Sequence, residues 1–382
     1  MPPEDRKPEW AADAGDAFAT SIRQGVEGGH DGLQTSAGAA PQGGAPSPRR
    51  VSLGAEEYVN GVRAGDRVIL ARAITLIESN APAHQELAQE VLQALLPFTG
   101  KTIRVGITGV PGAGKSTFIE ALGKLLTGGG HRVAVLAIDP SSSVTHGSVL
   151  GDKTRMETLA RDPHCFIRPS PSGGTLGGVA RKTRESMLLC EAAGYDVVLI
   201  ETMGVGQSEI TVRSMVDFFL LLLITGAGDE LQGIKKGVME LADLVVINKA
   251  DGENRLRAEA LRVDYTRALH YLAPATQGWN TPVHVCSALT GDGVPAVWEC
   301  VDRFRTVTGA EGTLMARRNT QMLEWVHSMV EEHLHTRFVT EPRVQQILPE
   351  VERAVLGGTM TAATAVRQLL QAIEQRPERT SP

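Results

Sequence analysis

The stretch Gly109-Val-Pro-Gly-Ala-Gly-Lys115-Ser116 decides the fold of this chain of 382 residues. It matches the pattern G-x-x-x-x-G-K-[ST], it follows the β-branched run Ile103–Ile107, and an apolar-periodic segment comes after it. Glycines have no Cβ atom, so such a loop can curl around a phosphate and direct successive N–H groups at it. The start of the next helix adds the positive end of its dipole. The sequence therefore predicts a loop that binds the phosphates of a nucleoside triphosphate.

Individual residues of this loop have different expected roles. We expect Lys115 to reach the β- and γ-phosphate oxygens and to act in catalysis, and the hydroxyl of Ser116 to bind Mg²⁺. The residues expected to surround the phosphates are Gly109, Gly112, Ala113, Gly114, Lys115, Ser116 and Thr117.

Composition favours a globular protein with a sizeable core, because 42% of the residues are hydrophobic and 21% are charged. The formal net charge of −6 predicts no basic surface for nucleic acid. The longest apolar run, Phe218–Ile224, is too short to span a bilayer, and the N-terminus carries no apolar signal core. Cys165, Cys190, Cys286 and Cys300 form no C-x-x-C pair, which indicates buried thiols in a reducing compartment. We expect a cytoplasmic protein without nucleic-acid or membrane partners.

The chain divides into four segments. Residues 1–52 are rich in Gly, Ala, Pro and Ser, which predicts a disordered tail. Residues 53–100 have helical periodicity, with Asp66 as the expected cap of a second helix. Residues 101–311 alternate strands with helices, and residues 312–382 contain amphipathic helices. The alternation predicts an α/β domain with a doubly wound, mostly parallel sheet and right-handed crossovers.

Within the α/β domain we expect a loop over Pro169–Gly178, a helix over Ala180–Ala193 and a strand over Val283–Ser287. The helices of residues 312–382 are too few to enclose a core of their own. They must pack on the main domain or on a second copy of the chain. The pattern leaves both a dimerisation segment and a simple packed appendage open.

The tetrapeptide Asn248-Lys-Ala-Asp251 is the N-K-x-D signature of GTP-binding proteins. A carboxylate at Asp251 can accept hydrogen bonds from guanine N1–H and the 2-amino group, which adenine lacks at those positions. We expect Lys249 to run along the base, and the segment Ser287-Ala288-Leu289 to bring a backbone N–H to the guanine oxygen. Together with the phosphate loop, these elements predict GTP or GDP as the ligand.

Two acidic residues, Asp139 and Glu201, come at the carboxyl ends of predicted core strands. Either can belong to the Mg²⁺ site or orient the attacking water, and a role as a helix or turn cap is the alternative for each. Gly204 stands where a backbone N–H would sense the γ-phosphate, which makes the following segment Val205–Glu209 a candidate switch, and Asp152 lies in another candidate switch. No arginine is identifiable as an in-chain finger, so slow intrinsic hydrolysis is expected.

Eight segments together resemble the MeaB/ArgK family. They are Val105–Ser116, Ile138–Ser142, Gly151–Met156, Arg168–Pro171, Gly174–Gly178, Glu201–Glu209, Gly226–Gly237 and Asn248–Asp251. The resemblance covers roughly residues 56–375. Members are G-protein chaperones of adenosylcobalamin-dependent methylmalonyl-CoA mutase that gate cofactor loading and protect the mutase.

This resemblance implies a P-loop GTPase that works as a homodimer through its C-terminal helices. It implies a Mg²⁺ and hydrolysis site at Asp139, Asp152 and Glu201, a second switch with Gln207, and a third switch loop with Lys235. The client is expected to be an adenosylcobalamin-dependent acyl-CoA mutase, with methylmalonyl-CoA mutase foremost.

Two other functions remain open. Relatives have been described as kinases of amino-acid transport systems, which requires ATP, and the segment Asn248–Asp251 argues against ATP. A metal-insertion GTPase for hydrogenase or urease would ordinarily carry a Cys/His cluster, whereas here Cys165 has only His164 beside it.

Overall fold

The computed structural model of the chain describes residues 53–139, 156–171, 176–202, 208–225 and 237–374. The tail predicted for residues 1–52 lies outside this part of the chain.

Within these described ranges, seven parallel strands form one sheet. They are β1 (Ile103–Gly109), β2 (Val133–Asp139), β3 (Cys165–Pro171), β4 (Val197–Thr202), β5 (Phe218–Ile224), β6 (Leu244–Asn248) and β7 (Val283–Val285). Their order across the sheet is β3-β2-β4-β1-β5-β6-β7, and each pair of neighbours is parallel. The prediction of a doubly wound parallel sheet is confirmed, with the strand that precedes the phosphate loop in the middle.

The described helices precede, connect and follow these strands. They are α1 (Ala55–Arg63), α2 (Arg67–Glu78), α3 (Pro82–Leu95), α4 (Lys115–Gly128), α5 (Glu157–Ala160), α6 (Leu176–Ala192), α7 (Ser208–Arg213), α8 (Asn254–His270), α9 (Val294–Ala310), α10 (Thr313–Thr340), α11 (Pro342–Leu356) and α12 (Ala362–Glu374). Asp66 caps α2 as predicted, because its carboxylate accepts hydrogen bonds from the N–H groups of Val68 and Ile69 at 2.8 and 3.1 Å.

Helices cover both faces of the sheet, as the continuous apolar strands require. On one face, Phe118 of α4 and Phe304 of α9 are fully buried against β1 and β5. On the other face, α1, α2 and α3 pack with α6, and Leu70 and Ile74 of α2 belong to one core with Leu136 and Val198. The helical segment before the phosphate loop is therefore part of the main hydrophobic core.

Three predicted boundaries were wrong. Strand β3 continues to Pro171, because its pairing with β2 runs as far as Asp139 and an edge strand tolerates residues without an N–H. Helix α6 begins at Leu176, so tertiary context overrides the low helix propensity of its first-turn glycines. Strand β7 ends at Val285, because the N–H of Ser287 donates to the carbonyl of Asp292 at 2.9 Å and turns the chain away.

A buried ion pair fixes the start of α10 to the amino-terminal edge of the sheet. Arg318 donates from Nε to Asp217 Oδ1 at 2.7 Å and from Nη2 to Asp217 Oδ2 at 2.6 Å. The same guanidinium donates to the carbonyls of Gly100 and Thr102, both at 2.6 Å. The side chain of Asp217 is fully buried, so loss of its partner would leave an uncompensated charge in the core. This pair anchors the start of α10 at the edge of the sheet opposite the phosphate loop.

Candidate nucleotide-binding site

The loop between β1 and α4 has the backbone of a phosphate cradle. Gly112 and Gly114 have φ angles of 76° and 86°, in the left-handed region that favours glycine. A Cβ atom on Gly114 would lie 2.9 Å from Asn248 Nδ2, and one on Gly109 would lie 2.2 Å from the carbonyl oxygen of Leu222. Both contacts are too short for real atoms, so the close approach of this loop to β5 and β6 requires glycine.

Lys115, the first residue of α4, lies against the loop and is buried. Its Nζ donates to the carbonyl of Gly109 at 2.9 Å and to the carbonyl of Val110 at 3.3 Å. Burial lowers the pKa of Lys115, while the carboxylates of Glu201 and Glu209 oppose that shift. A buried ammonium is thus hydrogen-bonded to the loop carbonyls and lies in the electrostatic field of two acidic side chains.

Ser116 and Glu201 meet directly at the carboxyl end of the sheet. The hydroxyl of Ser116 donates to Glu201 Oε1 at 2.8 Å. Glu201 is only 5% exposed and lies on β4 opposite Ile107 of β1, two residues before the loop begins. Hydroxyl and carboxylate oxygens are the ligands that Mg²⁺ takes in proteins, so the chemistry of this pair fits such an ion.

Several residues singled out from the sequence lie outside the described part of the chain. Asp139 ends β2 at the same edge of the sheet as Glu201, but its side chain is not among those described. Asp152, Gly204, Gln207 and Lys235 fall in the gaps. Thr117 is described and is exposed on the first turn of α4.

Asn248 joins the phosphate loop to the segment Ser287-Ala288-Leu289. Its Nδ2 donates to the carbonyl of Ala113 at 2.8 Å, and its Oδ1 accepts from the N–H of Ala288 at 2.9 Å. The residue is almost fully buried at the end of β6. One amide therefore sets the distance between the phosphate end and the base end of the site.

Replacing Asn248 by alanine is expected to destabilise the fold by about 2–4 kcal/mol. The substitution leaves the buried carbonyl of Ala113 and the buried N–H of Ala288 without their partner. Urea unfolding of N248A checks this value. Asn60→Ala on the exposed face of α1 serves as the control, and a free energy of unfolding equal in the two variants would contradict the bridging role.

The predicted base-recognition residues lie together at the ends of β6 and β7. Ser287 Oγ donates to Asp251 Oδ1 at 3.0 Å, which holds the carboxylate in place. Lys249 has a φ of 60°, and its Cε would be 3.8 Å from a Cβ on Gly114, so its stem runs past the phosphate loop. Leu289 is 80% exposed beside this group.

Glu209 was not singled out from the sequence, yet the structure places it among the charges of the site. It lies in the first turn of α7, is 5% exposed, and its charge acts on Lys115. The sequence carries only a weak signal for it, an acid at the end of the candidate switch segment Val205–Glu209.

The family model described as "Methylmalonyl Co-A mutase-associated GTPase MeaB" matches residues 70–343. The chain belongs to this family. The match includes the phosphate loop, the Ser116–Glu201 pair and the Asn248 bridge, and the chain is a P-loop GTPase.

Relatives in bacteria and animals agree with the MeaB assignment. GTPase ArgK of Escherichia coli is 48% identical over 318 residues, which cover 83% of this chain and 96% of that protein. The mitochondrial "Methylmalonic aciduria type A homolog" of Mus musculus is 47% identical over 331 residues, 84% of this chain and 80% of that protein. A crystal structure described as a LAO/AO transport system kinase matches with a TM-score of 0.69 at 42% identity, covering 84% of this chain and 98% of that one.

The described part of this MeaB-family chain was also searched for membrane-spanning helices, metal-binding groups and disulfides. Over the described ranges, no helix has the length and apolar character needed to cross a bilayer, and no group of three or more His, Cys, Asp or Glu side chains could hold a metal ion. All four cysteines are free and buried, as predicted. Burial raises the pKa of Cys165 and Cys286 to about 12, so these thiols are kept protonated.

Proposed function

We propose that this MeaB-family GTPase binds GTP and GDP with Mg²⁺, and that it serves as the chaperone of an adenosylcobalamin-dependent acyl-CoA mutase, with methylmalonyl-CoA mutase as the foremost client. In this role it gates the loading of the cofactor and protects the mutase. The observation that carries the proposal is the Asn248 bridge, which joins a phosphate loop to a guanine-type base site within the segment that the MeaB family model matches.

The nucleotide is bound at both ends of this bridge. At one end, the loop N–H groups and Lys115 hold the phosphates, with Thr117 at the edge of the site. At the other end, Asp251 accepts hydrogen bonds from guanine, Lys249 lies along the base, and Ala288 and Leu289 close the site. The Ser287–Asp251 hydrogen bond supports this assignment, because it orients the carboxylate before the base arrives.

The magnesium ion is held by Ser116 and Glu201, with Asp139 and Asp152 as further proposed ligands. When bound, Mg²⁺ neutralises negative charge on the phosphates. Glu201 or Asp139 orients the water that attacks the γ-phosphate. No arginine of this chain is assigned as an arginine finger, so we expect slow intrinsic hydrolysis. Gly204 contributes a backbone N–H that senses the γ-phosphate.

A homodimer forms through the C-terminal helices in this proposal. The apolar side chains of α10 are turned to solvent along much of its length, and a second copy would cover them. These exposed side chains are Met315, Met322, Leu323, Val326, Val330 and Leu334. We place the protein in the cytoplasm, where four reduced thiols are stable.

A transport-system kinase is the alternative that one observation favours, namely the description of the 42% identical crystal structure. This function needs ATP and a phosphate acceptor. The Asn248 and Asp251 arrangement supports guanine instead, so the nucleotide preference separates the two functions. A metal-insertion role is a third candidate, and no specific observation favours it.

The decisive experiment is GTP hydrolysis by the purified protein, with ATP as the control nucleotide, in the presence and absence of methylmalonyl-CoA mutase. We expect slow turnover of GTP only, and faster turnover when the mutase is present. If the mutase does not change the rate of GTP turnover, methylmalonyl-CoA mutase is excluded as the client, and the assignment of GTP as the nucleotide still holds. Preferential use of ATP would overturn the guanine site and favour the kinase.

A further inference from the structure

A small cavity lies where α6, the chain before β5 and α10 meet. Its volume is about 30 Å³, which is enough for one or two water-sized groups. Among the described residues that line it, none is acidic. The polar side chains of the lining are those of Arg104, Arg184, Ser214, Arg318, Gln321 and Trp325. The cavity is therefore rich in hydrogen-bond donors and in positive charge.

Two N–H donors of this lining have no acceptor. The Nε atom of Arg184 and the Nε1 atom of Trp325 are buried, and no group in the described part of the chain accepts a hydrogen bond from either. The guanidinium carbon of Arg184 lies 5.5 Å from the centroid of the Trp325 ring, so one small acceptor can reach both donors. Both atoms are closed off within one chain, so a second copy packed on α10 could not supply this acceptor. Buried donors of this kind are rare in folded proteins and call for an acceptor from outside the chain.

The charges around the cavity favour an anion as this acceptor. Arg104 and Arg318 each have a buried carboxylate partner at 2.6 Å. Arg184 instead donates to the carbonyl and the hydroxyl of Ser214, both at 2.8 Å, and within the described ranges no carboxylate lies at ion-pair distance from it. The charge of Glu324 acts on Arg184 only from farther away. One positive charge in a largely buried place thus lacks a close counter-ion, which is costly.

The rest of the lining indicates which kind of anion fits. It consists of apolar side chains, among them Met187, Leu188 and Met322. Thioether and alkyl groups suit a polarisable ion that carries one charge and accepts few hydrogen bonds. A phosphate or sulfate group, with several charged oxygens, would need more donors than the two that are open here.

We propose that this cavity binds a single chloride-sized monovalent anion, which accepts hydrogen bonds from Arg184 Nε–H and Trp325 Nε1–H. Such bonds are charge-assisted, satisfy both donors and neutralise the guanidinium. The ion joins α6, whose Met187 and Leu189 belong to the main core, to α10. It therefore strengthens the attachment of the C-terminal helices to the sheet domain, and this role does not depend on the proposed nucleotide function.

Bromide is the probe for this site, because it resembles chloride and quenches indole fluorescence on contact. The fluorescence of the full chain is titrated with bromide at constant ionic strength, with gluconate as the balancing anion, so that the screening of surface charges stays the same. Trp325→Phe isolates the emission of Trp325 by difference. We expect a saturable loss of this emission with half-saturation at roughly 1–10 mM bromide, and added chloride should shift the half-saturation upward by competition.

Arg184→Met is the test variant, since it removes the charge and the Nε–H while keeping a long side chain. We expect the half-saturating bromide concentration to rise by at least about tenfold. Arg257→Met, exposed on α8, is the matched control and should titrate as wild type does. Quenching that is linear in bromide and equal in wild type and R184M would overturn the proposal, because bromide would then reach Trp325 only by collision.

The melting temperature gives a second test, which also serves if R184M does not fold. Replacing gluconate by about 100 mM chloride should raise the melting temperature of the wild-type chain by about 2–4 °C, because the ion binds only the folded state. Trp325→Phe lacks the indole N–H and should lose most of this rise. Trp298→Phe, in the core on the other face of the sheet, should keep it. A rise of equal size in W325F and W298F, or no rise in the wild-type chain, would overturn the proposal.

Discussion

Lys115→Ala is expected to abolish nucleotide binding at micromolar concentrations while the chain remains folded. The ammonium is buried and is held against the loop by the carbonyls of Gly109 and Val110, where the proposed nucleotide would place its phosphates. Its removal also takes away a positive charge that acts on the carboxylates of Glu201 and Glu209. Removing one partner from a buried charge pair costs about 3–5 kcal/mol. A loss of this size from the contacts with the phosphates corresponds to roughly two to four orders of magnitude in affinity.

The measurement is titration calorimetry with GDP and with a non-hydrolysable GTP analogue. Lys124→Ala is the control, since Lys124 lies on the same helix but is about half exposed and pairs with Glu120 only at 3.7 Å. Circular dichroism verifies that both variants keep the α/β fold. Tight GTP binding by K115A would show that this loop does not bind the phosphates. The assignment of the loop as the phosphate site would then be wrong.

The phosphate loop could be predicted from sequence because its chemistry is local. Glycines at fixed spacing, a lysine and a serine occur within eight residues, and the strand and helix around them follow from apolar periodicity. The same holds for Asp66, whose capping hydrogen bonds reach only two and three residues along the chain. Local patterns of this kind determine both the type of secondary structure and which residues point toward the site.

Contacts between distant residues could not be predicted in the same way. The bridge from Asn248 to Ala113 spans 135 positions, and the pair of Arg318 with Asp217 spans 101. A motif shows that Asn248 is present, but only the order of strands across the sheet brings it beside the phosphate loop. No role was predicted for Glu209 for a related reason, because its burial depends on how α7 packs against β1 and β4.

The wrong boundaries came from residues whose local preference the tertiary structure overrides. Gly177 and Gly178 favour a loop by their local preference, yet they lie within α6. Pro169 and Pro171 disfavour a strand, yet they lie in β3, which is an edge strand and tolerates proline. In both cases the deciding information is the position of the segment relative to the sheet.

Asp251→Asn is expected to lower the preference for GTP over ATP by about 10²–10⁴-fold. In the proposed site the carboxylate accepts from guanine N1–H and the 2-amino group, whereas an amide would present its own donor to one of them. Two donors then face each other, and buried polar groups are left unpaired. The hydroxyl of Ser287 donates to Asp251 Oδ1 at 3.0 Å, and an asparagine oxygen can accept that same bond, so the local structure should be kept.

Xanthosine triphosphate makes this prediction specific. Xanthine carries a carbonyl at position 2 in place of the amino group, so it can accept from the amide of D251N while its N1–H still donates to the amide oxygen. We expect the variant to bind the xanthine nucleotide more tightly than wild type does, and Asp264→Asn, exposed on α8, to bind as wild type. If D251N kept the wild-type ratio of GTP to ATP affinity, Asp251 would not lie at the base. A loss of affinity for GTP, ATP and xanthosine triphosphate alike would instead indicate damage to the site. Only a hydrogen-bond mismatch lowers the affinity for the guanine nucleotide and raises that for the xanthine nucleotide in the same variant.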